Sequence, residues 1–343
     1  MRKLIGGFTH RPGLHAPASA LRDILEFSGH KLSEETVFGL GCGHGFMYWR
    51  SKDMLPPILV GGNASEGIVE ACRILGIDVK RETTESEEAA WKETKKLIDS
   101  NIPVALRVDL HDLGYMSAPM SLHFGMHVVV VIGYDEEKGE AYVLDNRLAG
   151  IQSISFENLS RARSSKFKPF PPNNIWYKFT FPKSLTKLEG AIKIAIRENV
   201  ENFLDPTAKN SGLRGIDYLA ERLESWPEIL SPSELALTLK TTHLFIDGNG
   251  TGLFRRIYSR FLNEAHALLG EEQLSISKEL LERSAESWTR VGELLLKASG
   301  LELGEVSKLL SEAKNEVRKC YDLEKEAFGL LDALSERWLE QVI

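Results

Sequence analysis

The stretch that decides the fold of the first half of the chain reads Gly13-Leu14-His15-Ala16-Pro17-Ala18-Ser19-Ala20-Leu21-Arg22. Proline is favoured in the first turn of a helix, because its missing N–H would have no partner there in any case. Apolar residues recur at helical spacing after Pro17 until Gly29, which is a helix-stop residue. The sequence therefore predicts a helix over residues 17–28 that starts directly after Ala16. Alanine offers no side-chain acceptor to the free amides of a first helical turn, so Ala16 is a poor N-cap.

Composition excludes several classes of protein. The 343 residues carry a net charge of −7 with both signs interspersed, and phosphate binding needs a basic face, so we expect no nucleic-acid partner. No apolar run reaches the roughly 20 residues that span a bilayer, and the N-terminal apolar run is too short for a signal peptide, so we expect no membrane association. The three cysteines are odd in number and widely spaced, which indicates neither a disulfide framework nor a CxxC metal site. These features predict a cytoplasmic protein without a metal site.

The pattern of apolar residues changes near Pro182. Strand and helix signals alternate before it, whereas the chain after it has helical periodicity almost throughout. Ser231-Pro232-Ser233-Glu234 is the sequence of a capping box with proline in the first turn. We predict an α+β fold, with a mixed or antiparallel sheet in a first domain, residues 1–183, and an all-α helical domain, residues 184–343. Long amphipathic helices are predicted in the second domain over residues 253–269, 272–299 and 306–339.

Two neighbouring strands bring a histidine and an aspartate to the same end of the predicted sheet. Residues 128–134 form an unbroken apolar run typical of a buried strand, and His127 precedes it. A polar turn over residues 135–140 leads to a returning strand over residues 141–144, which ends at Asp145. Because the strands of a hairpin are antiparallel, the start of one lies beside the end of the other. The sequence therefore predicts that His127 pairs with Asp145.

A histidine oriented by a carboxylate is one half of a thiol acyl-transfer site. The other half is a cysteine whose thiolate is stabilised, and the N-terminus of a helix is a favourable place for it. Position 16 lies at such a terminus, where a cysteine would be close to the free amides of the first turn. His127 would move the proton and Asp145 would orient the histidine. The nucleophile itself is absent, since position 16 is alanine.

Two long segments of the chain carry a family resemblance. The first lies within residues 10–50 and includes His10-Arg11-Pro12-Gly13-Leu14-His15-Ala16-Pro17 and Gly45-Phe46-Met47-Tyr48-Trp49. The second includes Gly250-Thr251-Gly252-Leu253-Phe254-Arg255-Arg256-Ile257-Tyr258. They resemble the N-terminal domain of the butirosin biosynthesis protein H family and the helical domain that follows it. The resemblance implies a papain-like, bacteriocin-leader-peptidase-like first domain that transfers an acyl group from a carrier-protein thioester to an amine through a cysteine.

The chain departs from the family pattern at the position of the nucleophile. The pattern reads His-Cys, and this sequence has His15-Ala16 there. Three interpretations remain open. Ala16 is an introduced replacement of the nucleophile, or the chain is a natural member that binds a ligand or uses other chemistry. In the third interpretation, Cys42 supplies the thiol from a glycine-rich loop over residues 39–45.

Other residues are candidates for supporting roles. His10 and His15 are candidates to donate a hydrogen bond to a developing oxyanion. The loop 39–45 lacks the spacing of a dinucleotide-binding loop, and we expect it to permit either a tight turn or the close approach of a substrate such as a pantetheine arm. The residues expected to contact substrate are Gly43, Tyr48 and His123. His123 and His127 have a spacing seen in metal sites, but no third ligand is evident, so zinc is not predicted.

The leading functional hypothesis is an acyltransferase that moves an acyl group from a carrier-protein or CoA thioester to a small-molecule amine. We expect no tightly bound cofactor beyond a phosphopantetheine-linked acyl donor. Amide hydrolysis and cyclisation at the same site are alternatives, since they share the acyl-enzyme step, and a non-catalytic ligand-binding protein is another. With Ala16 in place of the nucleophile, we expect this chain to be nearly inactive. The long amphipathic helices are compatible with docking of a carrier protein and with a homo-oligomer.

Overall fold

The computed structural model describes three stretches of the chain, residues 1–63, 67–116 and 122–341, except the side chain of Leu303. Within these stretches no helix is both long enough and apolar enough to cross a bilayer. In chain order the strands are β1 (Arg2–Leu4), β2 (Met47–Arg50), β3 (Ile58–Gly61), β4 (Asp78–Glu82), β5 (Val104–Val108), β6 (His127–Asp135), β7 (Glu140–Asp145), β8 (Gln152–Ser155) and β9 (Trp176–Thr180). The α-helices are α1 (Ala16–Phe27), α2 (Glu34–Leu40), α3 (Ile68–Leu75), α4 (Glu87–Asp99), α5 (Phe156–Ser164), α6 (Leu188–Leu204), α7 (Gly212–Arg222), α8 (Trp226–Ile229), α9 (Pro232–Asp247), α10 (Arg255–Leu269), α11 (Glu272–Ala298) and α12 (Leu303–Glu340).

Contacts within the chain divide it into two units. The first unit joins Met1–Val37 to Glu66–Leu185, and the second joins Phe38–Ser65 to Thr186–Ile343. This grouping differs from the sequence-based division in two places. Residues 38–65, predicted in the first domain, group with the helical half, and residues 184–185, predicted in the second domain, group with the first unit.

The first unit is built on an antiparallel sheet. Its strand order is β4-β9-β5-β6-β7-β8, and β1 also pairs with β6. The strand pairs described in this sheet are all antiparallel. β6 is buried along its whole length, as its apolar run predicts. Gly133 leaves room for β1, because a Cβ there would lie 2.5 Å from the carbonyl oxygen of Lys3. The α+β fold class expected from the sequence is confirmed.

Helix α1 packs against β6 and β7; His15 and Pro17 are buried, and Ala16 between them is half-buried. It starts at Ala16, one residue before the predicted start. His15 caps it, because its Nδ1 accepts a hydrogen bond from the amide of Ala18 at 3.3 Å. Two charged residues of the helix, Arg22 and Asp23, are buried and pair with each other at 2.8 Å. Burial and the histidine cap therefore fix the backbone around position 16.

The second unit is helical in its described residues apart from the hairpin of β2 and β3. The predicted capping box is present at the start of α9. The Ser231 hydroxyl accepts from the amide of Glu234, and the Glu234 carboxylate accepts from the amide of Ser231 at 2.9 Å. The long helices α11 and α12 pack along each other, and apolar residues of both are buried. The amphipathic stripes of the sequence therefore form the core of this unit.

A buried ion pair between two helices of the second unit also bonds the segment 38–65. Arg255 on α10 bonds the carboxylate of Glu324 on α12 at 2.7 and 2.8 Å, and both side chains are fully buried. The Nη1 atom of Arg255 also donates to the carbonyl oxygens of Gly45 at 2.8 Å and Gly62 at 3.3 Å. A buried arginine needs all of its donors satisfied. The backbone carbonyl groups of residues 38–65 therefore bond a helix of the second unit through Arg255. The periodicity of the sequence does not reveal such a contact.

Candidate active site

His127 and Asp145 form a hydrogen-bonded pair at one end of the sheet. β6 starts at His127, β7 ends at Asp145, and Asp145 pairs in register with Val129. Side chains two residues apart on a strand point to the same face, so His127 can reach the carboxylate that lies opposite Val129. The Nε2 atom of His127 lies 2.8 Å from Oδ2 of Asp145, and both side chains are buried. The structure brings together the two residues that the hairpin pattern pairs in the sequence.

Both oxygens of the Asp145 carboxylate have hydrogen-bond donors. Besides His127, Oδ2 accepts from the hydroxyl of Tyr115 at 2.8 Å, and Oδ1 accepts from the amide of Arg147 at 2.9 Å. Burial opposes the charge on Asp145, but His127, the Arg147 amide and Tyr115 together hold its pKa below the ordinary value. Asp145 is therefore ionised at neutral pH and accepts the Nε2 proton of His127. Proton exchange with a substrate would then run through Nδ1 of the imidazole.

The loop that precedes α1 is tied to the turn that follows β7. The amide of Gly13 donates to the carbonyl oxygen of Asn146 at 2.7 Å, and Nδ2 of Asn146 donates to the carbonyl oxygen of Gly13 at 3.0 Å. Asn146 follows Asp145 directly, and Gly13 lies three residues before Ala16. These two hydrogen bonds therefore hold the start of α1 next to the end of the strand that carries Asp145.

A buried glutamate holds the same loop from the other side. Oε1 of Glu34 accepts hydrogen bonds from the amides of Leu14 at 2.8 Å and His15 at 2.7 Å, and from the hydroxyl of Ser19 at 2.8 Å. Burial raises the pKa of Glu34, and these hydrogen bonds act in the opposite direction. A Cβ at Gly13 would lie 2.5 Å from Oε2 of Glu34, so a side chain there would displace the carboxylate. The conformation of the loop thus depends on one carboxylate and one glycine.

His15 is neutral as well as buried. Burial lowers the pKa of His15 to about 3. Because its Nδ1 accepts from the amide of Ala18, the neutral ring carries its proton on Nε2. The Nε2–H group of His15 is a hydrogen-bond donor beside position 16, and an oxyanion site needs such donors. The oxyanion role of His15 stays a prediction.

His10 bridges α1 and the turn after β7. Its Nδ1 lies 2.6 Å from Oδ2 of Asp23, and its Nε2 lies 3.1 and 2.9 Å from the carbonyl oxygens of Asp145 and Leu148. Burial lowers the pKa of His10, but Asp23 and the two carbonyl groups outweigh it, so the pKa is raised. An imidazolium donates from both nitrogens, which matches these acceptors. Both nitrogens are therefore occupied, so this arrangement indicates a positioning role and gives no support to an oxyanion role for His10.

Comparison with known families adds two matches in succession along the chain. The family described as butirosin biosynthesis protein H, N-terminal, matches residues 15–146, a stretch that contains Ala16, His127 and Asp145. A domain of unknown function, DUF4872, matches residues 157–331. The chain belongs to the butirosin biosynthesis protein H family. No curated protein matches it.

One further candidate residue in the butirosin biosynthesis protein H region of the chain is His123. Its Nδ1 lies 2.9 Å from Oδ2 of the buried Asp109, and its ring stacks on that of His111 with centroids 4.0 Å apart. His111, Asp112 and His123 have potential ligand atoms within 4.8 Å of one another. The two histidine rings are inclined at 27° to each other. His127 bonds Asp145 instead of joining this group. A role of His123 in substrate binding stays a prediction.

Three residues that the sequence predicts to take part in the site, Cys42, Gly43 and Tyr48, belong to the second unit. Cys42 is buried, and its Sγ lies 3.8 Å from the carbonyl oxygen of Ala195. A Cβ at Gly43 would lie 2.6 Å from the ring of Phe38, and Tyr48 is only 4% exposed. These contacts are those of a packed interior. They give no support to Gly43 and Tyr48 as substrate contacts or to Cys42 as the alternative nucleophile, which stay predictions.

Sequence reasoning about this butirosin biosynthesis protein H family member missed three residues of the site. Tyr115 lies in the connection between β5 and β6, where no periodic pattern points to a structural role. Glu34 follows Ser33 and is typical of an acidic residue in a first helical turn, which conceals its bonds to the loop before α1. Asn146 is the one residue with a signal, since it directly follows Asp145 at the end of a strand.

Proposed function

We propose that the first unit holds a thioester-to-amine acyl-transfer site of the Cys–His–Asp type, in which Ala16 occupies the position of the nucleophile. Family membership points to a function in biosynthesis. The observation that carries the finer proposal is the 2.8 Å hydrogen bond between His127 and Asp145. It is supported by the Gly13–Asn146 hydrogen bonds, which hold the start of α1 beside Asp145.

The first half-reaction would load the acyl group onto a sulfur at position 16. The thiolate, stabilised by the dipole of α1, attacks the carbonyl carbon of the thioester. The C–S bond to the donor then breaks, and the donor sulfur leaves with the proton that His127 carries. The acyl group is now bound to the sulfur at position 16, and the imidazole is neutral.

The second half-reaction would transfer the acyl group to an amine. The amine nitrogen attacks the carbonyl carbon of the acyl-enzyme, and His127 takes a proton from it. Asp145 stabilises the imidazolium that forms. The C–S bond to position 16 breaks, the amide leaves, and the thiolate–imidazolium pair is restored. With alanine at position 16 there is no sulfur to acylate, and loss of a triad nucleophile costs on the order of 10⁶ in rate.

The chemistry of the site suggests its partners. We propose a phosphopantetheine-linked acyl donor, carried by an acyl carrier protein or CoA, and a small-molecule amine as acceptor. Water or an internal amine as acceptor would give the hydrolase and cyclase alternatives. The three cysteines all lie within the described residues, are buried and form no disulfide, as suits a reducing cytoplasm, which we propose as the location.

Ligand binding without catalysis is the second candidate function. One observation favours it, namely that the side chain at position 16 is a methyl group. Such a protein would bind the thioester or the amine through the same residues and release it unchanged.

Intact-protein mass spectrometry tests the acyl-transfer proposal. The parent chain, Ala16→Cys and Ala16→Cys/Cys42→Ala would each be incubated with acyl-CoA and acyl-pantetheine thioesters. We expect a mass gain of one acyl group in both variants that contain Ala16→Cys, no gain in the parent, and loss of the adduct when an amine is added. A gain in the parent would assign the reaction to another residue. The absence of a gain in all three proteins would favour ligand binding.

A further inference from the structure

Asp145 receives hydrogen bonds from two different parts of the first unit at a single oxygen. His127 on β6 and Tyr115 in the β5–β6 connection both bond Oδ2, each at 2.8 Å. The paired strands β6 and β7 account for the first contact. The second contact comes from outside the hairpin, and Tyr115 takes no direct part in either half-reaction of the proposed acyl transfer.

The backbone around Tyr115 is arranged to present this hydroxyl. Gly114 has a positive φ of 74°, and a Cβ at this position would collide with the side chain of Asn158. The amide of Tyr115 donates to the carbonyl oxygen of Leu113 at 2.9 Å, and the Leu113 side chain is fully buried. A tight turn anchored in the core therefore places the hydroxyl on Asp145.

The hydroxyl keeps its proton under all ordinary conditions. Burial and the neighbouring charge of Asp145 both raise the pKa of Tyr115. Tyr115 is therefore a permanent donor to the carboxylate. It does not compete with His127 for a proton.

We propose that Tyr115 is a positioning residue of the acyl-transfer site, which acts on His127 through Oδ2 of Asp145. This inference rests on the proposed function. A second donor on Oδ2 fixes the plane of the carboxylate and draws part of its negative charge away from the imidazole. The imidazolium of His127 is thereby held less tightly, so it can release its proton to a leaving sulfur. Without Tyr115, the Asp145 carboxylate would orient the His127 ring less well, and the imidazolium of His127 would release its proton less readily.

The elements packed against β6 and β7 carry buried charged side chains, namely Arg107 on β5 and the ion pair of Arg22 and Asp23 on α1. Asp145 faces His127 on β6, the turn after β7 contributes the amide of Arg147, and His10 bonds the carbonyl oxygen of Asp145. None of these groups changes when the Tyr115 hydroxyl is removed. A change in proton affinity at His127 would therefore report the loss of this single donor.

The test compares Tyr115→Phe with a matched control, Tyr134→Phe, in the Ala16→Cys background. The Tyr134 hydroxyl bonds Oδ1 of Asp99 at 2.6 Å in the same unit, so the control removes the same kind of hydrogen bond away from His127. The measurement is the rate of alkylation by iodoacetate as a function of pH, since the negative reagent favours a thiolate beside an imidazolium. We expect Tyr115→Phe to move the basic limb of the profile upward by about 0.5–1 pH unit. The control should leave the limb in place.

Three outcomes overturn the inference: an unmoved limb, an equal drop in rate at every pH, or the same shift in Tyr134→Phe. If the alkylation rate of Ala16→Cys depended on pH in the same way as that of a free thiol in solution, the proposed function itself would be overturned. In that event, a spectroscopic readout on the chain with Ala16 still decides the role of Tyr115. The Nε2 proton of His127, bonded to Asp145, gives a downfield proton NMR signal that Tyr115→Phe should move further downfield and Tyr134→Phe should leave unchanged. An unmoved signal in folded Tyr115→Phe protein contradicts the inference.

Discussion

Gly13 and Asn146 exchange two hydrogen bonds, of 2.7 and 3.0 Å, across 133 positions of the sequence. One residue precedes α1 and the other follows β7. The pair therefore connects position 16 to the His127–Asp145 pair, and the proposed site depends on it.

The side chain of Asn146 should matter for both stability and reactivity. Asn146→Ala removes the donor to the carbonyl oxygen of Gly13, and we expect the free energy of unfolding to fall by about 1–2 kcal/mol in urea denaturation. The alkylation rate of Ala16→Cys should fall as well, because the loop before α1 loses a tether. Asn263, which is exposed on α10, supplies the control, since Asn263→Ala should change stability by less than about 0.5 kcal/mol. Equal stability of the two variants would mean that the tether is not needed.

Gly13 should not tolerate even a methyl group. Gly13→Ala places a Cβ against Ser19 and Glu34, and we expect a loss of about 1–3 kcal/mol in the free energy of unfolding. Gly6→Ala in the same unit is the matched control, because a Cβ at Gly6 meets nothing within 4 Å. Thermal unfolding of the two variants measures the difference. A Gly13→Ala protein as stable as Gly6→Ala would show that the loop adapts without cost.

His10 should make stability depend on pH in a defined direction. Its pKa is raised in the folded protein, so the charged form contributes stability below the unfolded pKa of about 6.5. That contribution is lost as the pH rises through the folded-state pKa. We expect the difference in unfolding free energy between the parent and His10→Gln to be largest in mild acid and to shrink with rising pH. Urea denaturation across a pH series measures it, and a difference that grows with pH would contradict the bridging role.

His15 should act in the opposite direction. Burial lowers its pKa to about 3, so the unfolded chain binds more protons than the folded one between that value and about 6.5. The parent should lose stability over this range as the pH falls, relative to His15→Asn, which keeps a capping acceptor without a titrating ring. His44, whose pKa burial lowers to about 4, is common to both proteins and cancels in the comparison. Parallel stability curves for the two proteins would show that His15 is not held neutral.

Part of the site could be predicted from the sequence because it follows from local patterns. The apolar run 128–134, the polar turn and the returning strand define a hairpin, and the period of two along its strands places His127 on the same face as Val129, the register partner of Asp145. The helix after Ala16 is likewise local, since Pro17 and the apolar spacing define it to within one residue.

The rest of the site is made of contacts that no local pattern encodes. Tyr115 and His10 lie in turns and loops, and Glu34 on α2 bonds a loop; in such segments the sequence sets the conformation residue by residue and not by a repeat. His10 illustrates the difficulty, since the sequence makes it a candidate oxyanion donor, whereas its nitrogens bond Asp23 and two carbonyl groups. In the segment 38–65, the carbonyl oxygens of Gly45 and Gly62 accept hydrogen bonds from Arg255 on α10, which lies more than 190 positions later in the sequence.

The most direct test of a single site formed by position 16, His127 and Asp145 is the rate at which an acyl-CoA acylates the thiol introduced by Ala16→Cys. Rapid-quench mass spectrometry would compare this variant with the same protein carrying His127→Gln, Asp145→Asn or both changes. We expect each single change to slow acylation by about 10²–10⁴-fold, and the double change to cost little more, because the two residues act as a unit. Acylation at the same rate in all four proteins would contradict the proposed site.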